Sequence, residues 1–129
     1  MKINHIGIWV RDLEKMKDFY ARYFGLIPGE KYSNPRKGFS SFFLSSPDGG
    51  ASIELMHKTG IEYHSELVPR YTGIAHLAFS AHHKPGVDQL THELVKDNYK
   101  LVSGPRTTGD GYYESVIMDP EGNLIEITV

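Results

Sequence analysis

Between Ile3 and Val10, large apolar residues alternate with polar or small ones. Ile6, Ile8 and Val10 fall on one side of an extended backbone, His5, Gly7 and Trp9 on the other. Period-two alternation is the signature of a strand with one buried face. It returns over Ala51–His57, where Ile53 and Leu55 oppose Ser52, Glu54 and Met56. It returns again over Gly73–Ser80, where Leu77 and Phe79 oppose His76, Ala78 and Ser80, and over Leu124–Val129, where Ile125, Ile127 and Val129 oppose Glu126 and Thr128. Elsewhere the period lengthens to that of a helix. Leu13, Met16, Tyr20, Tyr23 and Phe24 follow Asp12, a plausible N-cap, and end at Gly25, where a C-cap belongs. Val87, Leu90, Leu94 and Val95 predict a second helix over Val87–Tyr99. Further strands are expected over Leu26–Tyr32, Phe39–Ser45, Leu101–Ser103 and Tyr112–Met118. Pro47-Asp48-Gly49-Gly50 and Asp119-Pro120-Glu121-Gly122-Asn123 mark turns.

Each half therefore reads β-α-β-β-β, and the second repeats the first. Gly50 matches Gly122, and Ile53-Glu54-Leu55 matches Ile125-Glu126-Ile127. The expected organisation is one domain over 1–129, with modules at about 1–57 and 73–129 and a connector at 58–72. The aliphatic faces can pack beneath the helices, and the opposite faces can curve around a ligand. With 129 residues the chain buries enough surface for a real core. A net charge of −2 gives no general attraction to nucleic acid or to an anionic membrane. No apolar run approaches the ~18 residues of a membrane span. The chain has no cysteine, which removes disulfides and thiolate chemistry and suits a cytoplasmic protein.

The chemistry lies on the less aliphatic faces. His5 precedes Glu54 by 49 positions and His76 precedes Glu126 by 50. An imidazole or a carboxylate in the middle of a strand needs a partner, because desolvating it alone is costly. One such residue is most often a satisfied core histidine or a solvent-facing acid. Four in phase and duplicated predict one metal site with two nitrogen and two oxygen ligands. That donor set suits one divalent ion among Zn, Ni, Co, Mn and Fe. A ligated glutamate can also detach and act as general base. His57, His64, His82, His83 and His92 fall outside the repeat and read as surface or supporting residues. The aromatic set Phe19, Tyr20, Tyr23 and Phe24 reads as core. Trp9 lies on the ligand face. Arg36, Lys37, Arg70 and Arg106 are candidates for holding an anionic substrate tail. The glycine-rich stretch 104–111 predicts a mobile rim or lid.

At these residues the chain resembles the vicinal oxygen chelate superfamily, and within it glyoxalase I-like proteins. The resemblance rests on His5 in NHIGIWVRDLEKMKDFY, Glu54 in SIELM, His76 in GIAHLAF and Glu126 in DPEGNLIEI, and it spans essentially the whole chain. It implies an α+β fold of paired βαβββ modules forming a curved eight-stranded cup, with helices on the outer face. It implies a homodimer, with sites inside one chain or shared between two. It also implies a metal-dependent lyase or isomerase acting on a small carbonyl or thiohemiacetal-type substrate, with Glu126 both ligand and base. Two positions depart from the glutathione-using pattern. Trp9 stands where bacterial glyoxalase I has an arginine, and Met56-His57-Lys58 stands where that family has an asparagine. Trp9, Met56 and Arg106 are the expected substrate contacts. The alternatives are a methylmalonyl-CoA epimerase-like enzyme, an extradiol dioxygenase-like enzyme and a non-enzymatic drug-sequestering protein.

Overall fold

The computed structural model describes residues 1–62 and 73–129. His64, Arg70 and the expected connector from residue 63 onward lie outside the described residues. The chain divides into two compact units, Met1–His64 and Ser65–Val129. Both are α+β, and among the described residues each holds one α-helix and one sheet.

The first unit runs β1 (His5–Trp9), α1 (Leu13–Phe24), β2 (Ile27–Pro28), β3 (Tyr32–Asn34), a 3₁₀ turn (Pro35–Lys37), β4 (Phe39–Ser45) and β5 (Ser52–Lys58). Its sheet has the order β1-β5-β4-β2, with β3 paired to β4. β1 lies parallel to β5. The other pairs are antiparallel. The Asp12 side chain accepts the Lys15 N–H at 3.0 Å and starts α1. Gly25 ends it in the left-handed region at φ +63°. Leu13, Met16, Phe19, Tyr20 and Tyr23 are buried, with Ile53, Leu55, Phe42 and Leu44 from the sheet. Three of the four aromatic residues expected in the core, Phe19, Tyr20 and Tyr23, are therefore there, and Phe24 is half-buried. The single strand expected over Leu26–Tyr32 is two short ones. Pro28 has no N–H for the ladder, and Gly29 makes the last contact, donating to the Phe43 carbonyl at 2.8 Å. The chain leaves the sheet at Glu30 and Lys31 and returns as β3.

The second unit runs β6 (Leu77–Ser80), α2 (Lys84–Lys96), β7 (Leu101–Thr107), β8 (Tyr113–Met118) and β9 (Leu124–Thr128). The sheet order is β6-β9-β8-β7, with β6 parallel to β9. Ile117, Ile125 and Ile127 are fully buried with Val87 and Leu94 of α2. Two expectations are corrected here. The helix begins at Lys84, because the His83 ring accepts the Gly86 N–H at 2.9 Å as N-cap. Its buried face is Val87, Thr91 and Leu94, while Val95 is 44% exposed. Val95 follows Val87 by eight residues, roughly 80° round the helix, and misses the sheet. The second correction is the lid. Gly104–Thr107 belongs to β7 and pairs with β8, Arg106 opposite Glu114, across a bulge. Only Thr108–Gly111 forms a turn, in which the Thr108 N–H donates to the Tyr112 carbonyl at 2.8 Å. The described residues thus hold nine strands, β3 being the addition to the expected eight. No helix among them is long and apolar enough to cross a membrane.

Candidate functional site

Register explains the repeated spacing. In the first unit Gly7 lies opposite Glu54 on the parallel neighbour, so His5 sits diagonally from Glu54 on the same face. In the second unit Ala78 lies opposite Glu126, which puts His76 in the same diagonal relation. In both cases the residue facing the glutamate is small, and the imidazole reaches across it. The outcome is two matching pairs. His5 Nε2 stands 3.7 Å from Glu54 Oε2, and His76 Nε2 stands 3.5 Å from Glu126 Oε2. Each imidazole is nearly half exposed, at 41% and 45%, and each carboxylate is 17% exposed. Within each unit the donors come as a pair and not as a larger group, among the described residues.

The donors fit a divalent ion. Two ligands about 2.1 Å from one ion, at octahedral or tetrahedral angles, stand roughly 3.0–3.4 Å apart. The observed separations exceed that by a few tenths of an ångström. A charge-assisted contact between a protonated imidazole and a carboxylate would close to about 2.7–2.9 Å. The His5 ring is also oriented. Its Nδ1–H donates to Asn4 Oδ1 at 2.9 Å, which leaves the Nε2 lone pair facing Glu54. Phe43 packs edge-on against that ring with centroids 5.2 Å apart. The position before His76 is Ala75, so no side chain there can do the same.

The two glutamates differ in surroundings. Burial raises the Glu126 carboxyl above the ordinary carboxylate range. The charge of Glu114 and a hydrogen bond with it add to the rise, as does the charge of Asp110, while His76 opposes it. Glu114 is the partner of Thr128 in the β8–β9 ladder, diagonal to Glu126 on one face. Glu114 in turn faces Arg106, whose guanidinium lies 3.6 Å away. Arg106, expected to grip substrate, is thus engaged by Glu114 and donates from Nε to Ser103 Oγ at 3.2 Å. Trp9 and Met56 face each other across β1 and β5, one row beyond Glu54. Met56 lies over Gly7, where an added Cβ would stand 2.7 Å from its terminal methyl. Of the histidines outside the repeat, His57 donates from Nδ1 to the Val10 carbonyl at 3.0 Å and ties two strands together.

Asn4 and Glu114 were not singled out by sequence reasoning. Both leave a trace in it. Asn4 is a polar residue abutting a candidate ligand, and Glu114 is an acid inside a strand of otherwise apolar or small residues.

Comparison with known proteins agrees along the whole chain. The family model described as Glyoxalase/Bleomycin resistance protein/Dioxygenase superfamily matches residues 2–127. The Bacillus subtilis (strain 168) protein YqjT is 29% identical over 132 residues, covering 97% of this chain and 96% of its own. Mitochondrial methylmalonyl-CoA epimerase of Bos taurus is 36% identical over 59 residues, 46% of this chain and 33% of the enzyme. Among solved structures, a Bacillus cereus glyoxalase family protein superposes with TM-score 0.82 at 20% identity, covering 99% of this chain and 93% of that one. Trypanothione-dependent glyoxalase I of Leishmania major gives TM-score 0.78 at 21% identity, covering 98% and 85%. Glyoxalase I of Zea mays gives 0.79 at 21%, and this chain spans 44% of its length.

Proposed function

The chain belongs to the Glyoxalase/Bleomycin resistance protein/Dioxygenase superfamily, and on that premise we propose that it is a metal-dependent lyase or isomerase of the glyoxalase I type. Its two modules work as one domain. His5, Glu54, His76 and Glu126 hold one divalent ion, with the two pairs drawn from one chain or from two chains of a homodimer. The substrate is a small molecule with adjacent oxygens, a carbonyl or thiohemiacetal. The observation that carries this reading is the matched pair of His–Glu diagonals, at 3.7 and 3.5 Å, on equivalent strands of the two units. A bound divalent ion supplies Lewis acidity toward adjacent substrate oxygens.

The chain's own residues supply the rest. In the metal-free chain the Glu126 carboxyl is raised by burial and by Glu114, and Glu126 is the general base. It takes the proton from the carbon bearing one oxygen and returns it to the neighbouring carbon, which isomerises the substrate with no net proton change. Asn4 orients His5. Trp9 and Met56 flank the substrate one row from Glu54.

The experiment compares Glu126→Gln with Glu54→Gln under saturating metal. Glutamine keeps an oxygen donor and removes basicity. Glu126→Gln is expected to retain metal and lose at least ~100-fold in rate, the low end for a general base. Full turnover in Glu126→Gln with none in Glu54→Gln would reverse the roles. The substrate screen covers hemithioacetals of several thiols, acyl-CoA epimers and catechols. A second reading is favoured by the similarity to methylmalonyl-CoA epimerase. Removing and returning an α-proton is the same work for Glu126, and activity confined to the acyl-CoA arm would select it.

A further inference from the structure

Four strands of the first unit place one row of side chains side by side. Trp9 on β1 faces Met56 on β5, Met56 faces Ser41 on β4, and Ser41 faces Tyr32 on β3. Phe39 lies in the next row, opposite Lys58 and Asn34. All are on the face that carries His5 and Glu54. Phe39 joins the row's two ends. Its ring meets Trp9 edge-on at 6.2 Å and 86°, and meets Tyr32 at 6.0 Å and 57°. Ser41 is buried at 2% exposure, while Trp9 and Tyr32 remain 52% and 55% exposed. The rings therefore make a corner with open faces, with Met56 and Ser41 between its two ends, not a closed core.

We propose that the Trp9–Phe39–Tyr32 corner is the subsite for a flat, apolar substituent of the substrate, an aryl group by preference. This rests on the metal-site reading above and adds the chemistry of the substrate's remote end. The position fits. The row begins one residue pair beyond Glu54, about 7 Å along the strands, the reach of a ring attached to a carbon bearing the chelating oxygens. The geometry fits as well, since rings fixed at steep angles to each other offer both a face and an edge to a third ring. Electrostatics also disfavour a polyanionic tail, because the rows hold a single cation, Lys58, at the rim.

Trp9 is the only tryptophan in the chain, so its emission reports this corner alone. The test titrates zinc-loaded full-length protein with benzohydroxamate and with acetohydroxamate, following heat and Trp9 fluorescence. Both probes carry the same chelating head. Benzohydroxamate is expected to bind at least about tenfold more tightly and to perturb Trp9 emission, as one added ring contact allows. Acetohydroxamate should leave the emission unchanged. Phe39→Ala, and separately the edge-strand change Tyr32→Ala, should shrink the preference below about threefold with acetohydroxamate affinity intact. Equal affinity for the two probes overturns the subsite and leaves the metal reading standing. Binding of neither probe overturns the metal reading. The subsite is then decided with benzyl alcohol on metal-free protein. A saturable Trp9 response that Phe39→Ala removes supports it, and no saturable response overturns it. Conversion of a dimer to monomers by Phe39→Asp, seen by sedimentation, assigns the corner to a second copy and also overturns the proposal.

Discussion

The hydrogen bond from His5 Nδ1–H to Asn4 Oδ1, 2.9 Å long, does two things at once. It selects the tautomer with a free Nε2 lone pair, and it fixes the ring's rotation toward Glu54. Partners of this kind contribute about 10- to 100-fold to metal affinity. Asn4→Leu is therefore expected to weaken metal binding by that range with unchanged unfolding midpoint in the metal-free protein, and Asn4→Asp to restore it. Competition against a chromophoric chelator measures both. Glu126 gives a second residue-level prediction. Its carboxyl titrates above the ordinary range through burial and the Glu114 charge. The folded state thus binds this proton more tightly than the unfolded chain. The associated stability is fully present below the unfolded pKa, about 4.3, and is lost as pH rises through the folded value. At neutral pH the ionised group weakens the metal-free fold. Glu126→Gln should then be more stable than the parent at pH 7, with the gain fading as pH falls toward about 4. Urea titrations across that range check it, and a gain that grows on acidification contradicts it.

At the scale of elements, the strands that alternate cleanly are those the sequence reveals. β1, β5 and β9 each turn aliphatic side chains to the more buried face and candidate ligands to the other, so period and burial agree. β7 is different. Gly104-Pro105 reads as a loop, yet β8 supplies a partner and the strand continues to Thr107 through register shifts. Gly104 makes this possible. Its φ is +82°, and an added Cβ would collide with the Glu114 carbonyl oxygen and stand 2.9 Å from Ser115 Cα. Gly104→Ala is expected to cost at least about 2 kcal/mol through overpacking and backbone strain. Gly109, with nothing near its virtual Cβ, should tolerate alanine within about 0.5 kcal/mol. Urea unfolding of the two variants separates a strand glycine from a turn glycine.

For the molecule as a whole, one ion shared by both pairs would tie the metal's binding energy to the folding of both units. Zinc at a hundredfold excess over its dissociation constant should stabilise the protein by about 2.7 kcal/mol. His5→Ala and His76→Ala should each abolish that shift, although the two residues belong to different units. A thermal shift that survives either variant at full size argues against a four-ligand site. Excess chelator should return the parent protein to the midpoint of the variants.

The sequence by itself determined the duplication, the order of elements apart from the split between β2 and β3, the faces of the four main strands and which His and Glu side chains pair. Each depends on local periodicity or on residue type, and neither needs a distant partner to be read. Tertiary structure decided what depends on which strand lies opposite. Glu54 faces Gly7 and Glu126 faces Ala78, which sets the His–Glu diagonals at 3.7 and 3.5 Å. Glu114 comes beside Glu126 because β8 pairs with β9 in that register. The Trp9–Phe39–Tyr32 corner gathers residues from β1, β4 and β3 that no spacing along the chain links. Ladder register between non-adjacent strands is a long-range property. It is fixed by burying one face of every strand at once, and it is not written in any single segment.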